Sequence, residues 1–302
     1  MIEMKINTGV SGHFTMMTTN TKTGEQKVVA SFPNLILDAG LERMGTGSYL
    51  DVCRVGSGTS LPTVLQTKLD AKIASTSTVQ ASLSGARATP PYYGWKRITF
   101  RFAAGTATGN LSEVGVGWGN ITTDNFLFSR ALILDGGGLP TAISVLADEA
   151  LDVIYELRLY PPLTDVVVSG LDLGMSTHTA TVRAASVTDG AFWGADLGSQ
   201  VEFVGNYWTA LYNGTIGAIT TTPSGSGSGA NPTNLSYATL SRTKKSNLNL
   251  GLNSSNLAGG IASLDTRTTI GRYQIGFSPA IDKTASRTLR LDLQVSWGRY
   301  VA

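Results

Sequence analysis

Gly56-Ser57-Gly58-Thr59 is the stretch of this chain most suggestive of ligand chemistry, because closely spaced glycines let backbone N–H groups converge on a phosphate. The surrounding residues do not complete either of the usual devices. A P-loop needs GxxxxGK[ST] between a strand and a helix, and the lysine is missing. A dinucleotide fingerprint needs a third glycine three residues after the second, where Leu61 stands. The spacing instead predicts a tight turn leading into a helix opened by Pro62.

Other chemistries find equally little support. His13 and His178 are the only histidines, far apart, each within a strand pattern, and no HxH, HExxH or CxxC spacing exists to hold a metal. Acidic residues come mostly singly. Asp148-Glu149, in a turn-like ADEALD, is the nearest local pair, whereas glycoside hydrolysis needs two carboxylates across a cleft. Gly225-Ser226-Gly227-Ser228-Gly229 loosely matches the letters of a nucleophile elbow, yet reads as linker rather than as a strained strand–helix turn. Arg54 could lower the pKa of the single cysteine, Cys53, but its neighbours Val52 and Val55 fit packed core. The sequence therefore predicts no catalytic residue, no cofactor and no metal.

Aromatic residues carry more weight. Tyr92, Tyr93 and Trp95, then Phe192 and Trp193, then Tyr207, Trp208 and Tyr212, cluster near glycine or polar neighbours where loops meet strands. Amphipathic rings in such places suit a partner protein or a sugar, and also suit plugging the ends of a β-sandwich or a subunit contact. Nucleic-acid binding is not expected. Net charge is +2, and the only basic doublets, Lys96-Arg97 and Lys244-Lys245, form no stripe.

The elements that must position these residues are strands. Charged residues are only 15% and hydrophobic ones 42%, with 35 glycines, which favours strands and tight turns over long solvated helices. Alternation marks residues 13–19, 27–32, 95–102, 111–118, 126–134, 142–146 and 151–160, with a hairpin loop at 20–26. A short helix is predicted over 35–44, capped by Asn34 and stopped by Gly45, with Gly40 explained either by close approach of another backbone or by a sharper turn than a regular helix. A second helical pattern starts at Pro62, with Leu65, Leu69 and Ile73 on one side. Pro161-Pro162 ends the run and marks a boundary between domains 1–162 and 163–302, since single cores seldom grow past roughly 250–300 residues. Strands at 166–168, 178–187, 200–204, 210–212, 272–277 and 289–297 follow, with flexible loops at 223–229 and 247–260. LDVIYELRLY and LRLDLQVSWGRY, which end the two halves, look alike, as duplicated sandwiches would. The predicted fold class is all-β, mainly antiparallel and sandwich-like, with one or two short helices near the N-terminus.

Residues 174–187 carry one charged residue, and uncharged strands suit packing against copies of the same chain. A homo-oligomer, for instance a trimer, is expected. No apolar run approaches the roughly 18 residues of a membrane span, and no secretory signal is apparent, so a soluble chain made in the cytoplasm is expected.

One segment points to a family. Phe32, Asn34, Leu35, Ile36, Asp38, Gly40 and Leu41, followed by Val55, Gly56, Gly58, Thr59, Pro62, Thr67 and Leu69, form a phrase that resembles structural proteins of tailed-bacteriophage particles, notably of the tail-fibre and baseplate region. The resemblance covers about the first 160 residues, and its motifs are core and turn residues rather than a catalytic signature. It implies a non-enzymatic virion component of the tail tip, baseplate or fibre that assembles with copies of itself and other tail proteins. The C-terminal half would face a partner or the host. A host-glycan-binding module, a capsid decoration or collar protein, and a tail polysaccharide depolymerase are the alternatives. The chain lacks the heptad stalk and triple-β-helix repeat of long fibres.

Overall fold

In a computed structural model, residues 6–173, 176–205 and 209–301 are described. The first half contains β1 (Ile6–Asn20), β2 (Gln26–Pro33), β3 (Leu35–Ile36), helix α1 (Asp38–Met44), β4 (Val52–Gly56), β5 (Lys72–Thr76) and β6 (Val79–Ala86). It continues through β7 (Gly94–Phe102), β8 (Gly109–Leu111), β9 (Glu113–Gly117), β10 (Leu127–Leu132), β11 (Ile143–Val145) and β12 (Glu149–Tyr160). The second half contains β13 (Val166–Asp172), β14 (Thr177–Ala184), helix α2 (Gly190–Trp193), β15 (Thr209–Tyr212), β16 (Gly227–Ala230) and β17 (Thr233–Asn234). β18 (Thr243–Leu250), β19 (Ile261–Thr268), β20 (Gly271–Ile281) and β21 (Leu289–Arg299) complete it. The fold is all-β, with antiparallel pairing nearly throughout. Among the described residues no helix is long and apolar enough to cross a membrane.

The frame is an eight-stranded sheet in the order β17-β18-β21-β1-β12-β7-β6, with β2 also on β1. β1 is its spine. One side pairs along Gly9–Asn20 with β12, while the other is shared between β21, parallel, and β2. The look-alike strands β12 and β21 thus flank the same N-terminal strand. Pro161-Pro162 ends β12 as expected, but three strands from beyond it return to this sheet, so that dipeptide does not separate the sheets.

Alternation decides what each face meets. Val153, Tyr155, Leu157 and Leu159 of β12 point inward, with Phe14 and Met16 of β1 and Phe100 and Phe102 of β7, into one continuous core. Two smaller sheets touch this face. The first, β3-β10-β9-β4-β5, meets it where Asn34 Nδ2 donates to Tyr155 Oη at 3.1 Å. The second, β13-β14-β20-β19-β15-β16, meets it where the Thr8 and Tyr273 hydroxyls lie 2.6 Å apart.

Several expectations need correction. The helix starts at Asp38, with Leu37 as an N-cap that makes no side-chain bond, because Leu35 and Ile36 first pair with Arg130 and Ser129. No helix follows Pro62. The N–H groups of Gly58, Asp70 and Ala71 that flank this segment go to one carboxylate, Glu113, and Ile73 lies in β5. In residues 200–204 only Phe203 makes an isolated bridge, to Thr268. The glycine-serine loop closes as β16 on β15, and the polar 247–250 finishes β18. Residues 177–184 form a central strand with partners on both sides, so their low charge reflects an interior place rather than a subunit-facing edge.

Candidate functional site

The segment singled out for its glycines sits on a charged, buried layer. Glu113 opens β9 and Arg130 lies on the neighbouring β10, both fully buried, with Arg130 Nη2 2.8 Å from Glu113 Oε2. Apart from Ser129, their strands are otherwise apolar or glycine. Val114 and Val116 fill the core side, so alternation sends Glu113 to the opposite side, under the loop of residues 57–71. There Glu113 Oε1 accepts from the backbone N–H of Gly58 at 2.9 Å and of Ala71 at 2.8 Å, and Oε2 from Asp70 N–H at 3.1 Å. Arg130 spends its remaining donors on Gln66 Oε1 at 2.7 Å and Asp70 Oδ2 at 2.8 Å. The Ser60 hydroxyl bonds to Asp70 as well, and this bond, with the Arg130 charge, holds the Asp70 carboxyl below its ordinary value. Leu69 closes the loop by packing with Leu37 and Leu127.

Gly58 is required by this geometry, since a Cβ there would come 2.4 Å from Glu113 Oε1. The glycines therefore bring the loop down onto an internal carboxylate; they do not open a cradle for an external anion. A second buried arginine, Arg54 of β4, ties the 118–126 turn by donating to the carbonyls of Thr123 at 3.1 Å, Trp118 at 3.1 Å and Asn120 at 3.2 Å. Beside it, burial pushes the Cys53 thiol well above its ordinary pKa, which outweighs Arg54 and leaves no thiolate.

The other half of the phrase is a clasp on the C-terminal strand. Gly40 lies against β10, where a Cβ would stand 2.3 Å from Phe128 O. Trp297 of β21 donates its indole N–H to Leu41 O at 2.7 Å. Arg242 and Arg299 both reach Asp38 Oδ1, at 2.7 and 2.6 Å, and Tyr237 donates to Glu42 at 2.8 Å. The Arg299 hydrogen bond, then Arg242, holds the Asp38 carboxyl below its usual range. A carboxyl more acidic in the folded chain than in the unfolded one adds stability at neutral pH and loses it as pH falls through the folded value. Asp38→Asn is expected to lower the urea midpoint at pH 7 and to converge with the wild type at acid pH.

The aromatic candidates are placed as follows. Trp193 is fully buried, donates to Ala185 O at 2.9 Å and meets Tyr273 edge-on, so it belongs to the core and is no contact residue. Tyr207 and Trp208 lie outside the described residues. Tyr212 and Tyr92 are half-buried, Tyr92 packing on the core. Phe192 has the Arg272 guanidinium 4.3 Å from its ring centroid and Arg267 at 5.5 Å. Trp95 lies beside Arg97 at 4.7 Å. Tyr93 has Arg158 at 5.1 Å and Arg87 at 5.9 Å, and touches Tyr160, which stacks on Tyr300 with centroids 3.7 Å apart. Sequence spacing missed Tyr160 and Tyr300, which only the pairing of β12 and β21 with opposite sides of β1 brings together.

The outward side of the large sheet also carries Asp152 and Glu156, four residues apart on β12 and so about 13 Å along the strand. Arg101 takes the first through two bonds of 2.7 and 2.6 Å, and Arg97 and Arg158 take the second. Each carboxylate is thus already held by arginine within the sheet. Asp148 and Glu149 serve a turn, Asp148 meeting Lys22 and Glu149 accepting from Leu146 N–H. His13 is half-buried beside Glu156 and Arg158, and burial lowers its pKa. His178 is buried between the Ser176 hydroxyl and Pro279 O. Among the described residues no three His, Cys, Asp or Glu side chains converge as metal ligands would.

No protein-family model matches the chain, and comparison with curated proteins and with solved structures gives no match. Its chemistry must be argued from its own side chains. In the polar cluster Glu113-Arg130-Asp70, the two buried members have their donors and acceptors committed to the chain itself, and so they fix the loop of residues 57–71 on β9 and β10.

Proposed function

We propose that this chain is a non-enzymatic structural component of a tailed-phage particle. It would sit in the tail tip, baseplate or fibre region, assembled with copies of itself and other virion proteins. The observation that carries this reading is how the phage-like phrase is used. Gly40, Gly58 and Asp38 are all spent on close packing or internal ion pairing, as a structural module requires. What is left for partners is surface: sheet edges and the outward face of the large sheet. Mass spectrometry and immunolabelling of purified particles test the proposal. The expected result is a stoichiometric chain labelled at the tail. A chain absent from particles, and a stable monomer without affinity for particle proteins, would overturn it.

A glycan-binding role is the second reading, favoured by the Tyr93-Tyr160-Tyr300 row with Arg87 and Arg158 beside it, since rings and guanidiniums suit host polysaccharide. If it holds, Tyr160→Ala should reduce retention on host polysaccharide at least tenfold without altering the melting temperature. Equal retention would dismiss it.

A further inference from the structure

The large sheet ends on β6, which among the described residues is hydrogen-bonded to β7 alone, with α2 packed against its last residues at Gly85. Residues 79–84 are exposed, and Val79 and Leu83 are 47% and 59% accessible. The strand reads VQASLSGA, eight residues without a charge or a proline. Open edges are normally protected by charge, proline, bulges or brevity, because unpaired N–H and C=O groups recruit other strands.

The remaining edges follow that rule. β5 opens with Lys72, β2 contains Lys27, a bulge and Pro33, and β13 is bulged and ends on Asp172. β3 and β17 have two residues each, and β16 has four. β6 has one irregularity, between Val79 and Ala81, followed by the regular run 81–86.

We infer that β6 is a homotypic docking edge: it pairs antiparallel with β6 of a second copy, extending the sheet across a twofold axis. Charge favours this occupant and this direction. The pairing strand has no charge to oppose its own copy in any register. Two of the three neighbouring cations of β7 are neutralised within the chain, Arg97 by Glu156 and Arg101 by Asp152, and the third, Lys96, is half-buried on the other face of the strand. With Ser82 facing its own copy, Arg87, just beyond the strand, would be held at opposite ends of an antiparallel ribbon, roughly 30 Å apart, whereas parallel pairing would bring two copies of it together. Backbone hydrogen bonds supply the affinity, as in other strand additions, and the exposed Val79 and Leu83 add apolar contact. The inference rests on the assembly role above and makes its repeating contact twofold rather than threefold.

Sedimentation velocity across a concentration series tests it, with the full chain, the Ser82→Lys/Ser84→Lys variant and Leu83→Lys. The expected result is a concentration-dependent dimer that each variant weakens at least tenfold, with circular dichroism and melting unchanged. Ser82→Cys gives a second readout, because the natural Cys53 is buried: mild oxidation should yield a covalent dimer. A wild-type chain that stays monomeric at every concentration overturns the inference. Association that survives the lysines, with no Ser82→Cys cross-link, also overturns it while leaving assembly through another surface in place. Failure to associate with itself or with any particle protein defeats both.

Discussion

Replacing Glu113 by Gln is expected to destabilise the protein by about 3–5 kcal/mol, because it leaves a fully buried guanidinium without its buried counter-charge. Urea denaturation measures the loss. Asp70→Asn is the informative comparison. Its side chain is 34% accessible although it binds the same arginine, so about 1 kcal/mol or less is expected. Replacing both buried partners, Glu113→Leu with Arg130→Met, should cost less than either single change, since no uncompensated charge remains. The backbone N–H groups of Gly58, Asp70 and Ala71 would still lose their acceptor, so recovery is expected to be partial.

Gly40→Ala is the second large effect, and its sign is what matters. In an exposed helix interior the change would stabilise by about 1 kcal/mol. Here the new methyl would meet Phe128 O at 2.3 Å and Phe128 Cα at 2.6 Å, backbone atoms of β10 that cannot rotate away. Overpacking of this kind costs roughly 1–3 kcal/mol. With the helix gain subtracted, a net loss of about 1–2 kcal/mol is expected, which at this chain length lowers the melting temperature by about 2–3 °C. A melting temperature at or above that of the wild type would mean that α1 does not sit against β10.

Much of the architecture was legible in local pattern. Strands such as Gly94–Phe102 and Glu149–Tyr160 alternate cleanly, and their bounds lie within two residues of those expected. Gly40 left open a close backbone approach or a sharper turn, and the approach to Phe128 is what it serves. What could not be read was long-range pairing. Nothing near Ile6 tells that β1 will be flanked by a strand some 290 residues later, because a period-two pattern carries no address. The Pro62 segment shows the converse limit: its leucines have helical spacing, but a carboxylate from β9 claims the flanking N–H groups. A lone charged residue in a strand pattern that is mostly apolar, as in SEVGVG and FSRALI, was the available signal for Glu113 and Arg130. Of the aromatic candidates, Tyr93 and Trp95 reach the outward face, while Trp193 shows that ring clusters beside glycines can equally be core.

The glycine-rich loop is held from within and is a frame, not a binding site. Hydrogen–deuterium exchange at the Gly58, Asp70 and Ala71 amides tests it most directly. Bonded to buried Glu113, these amides are expected to exchange as slowly as those of β9 and β10, and to lose most of that protection in Glu113→Gln. Rapid exchange in the wild-type chain, with protection appearing only on addition of phosphate or a nucleotide, would contradict the account.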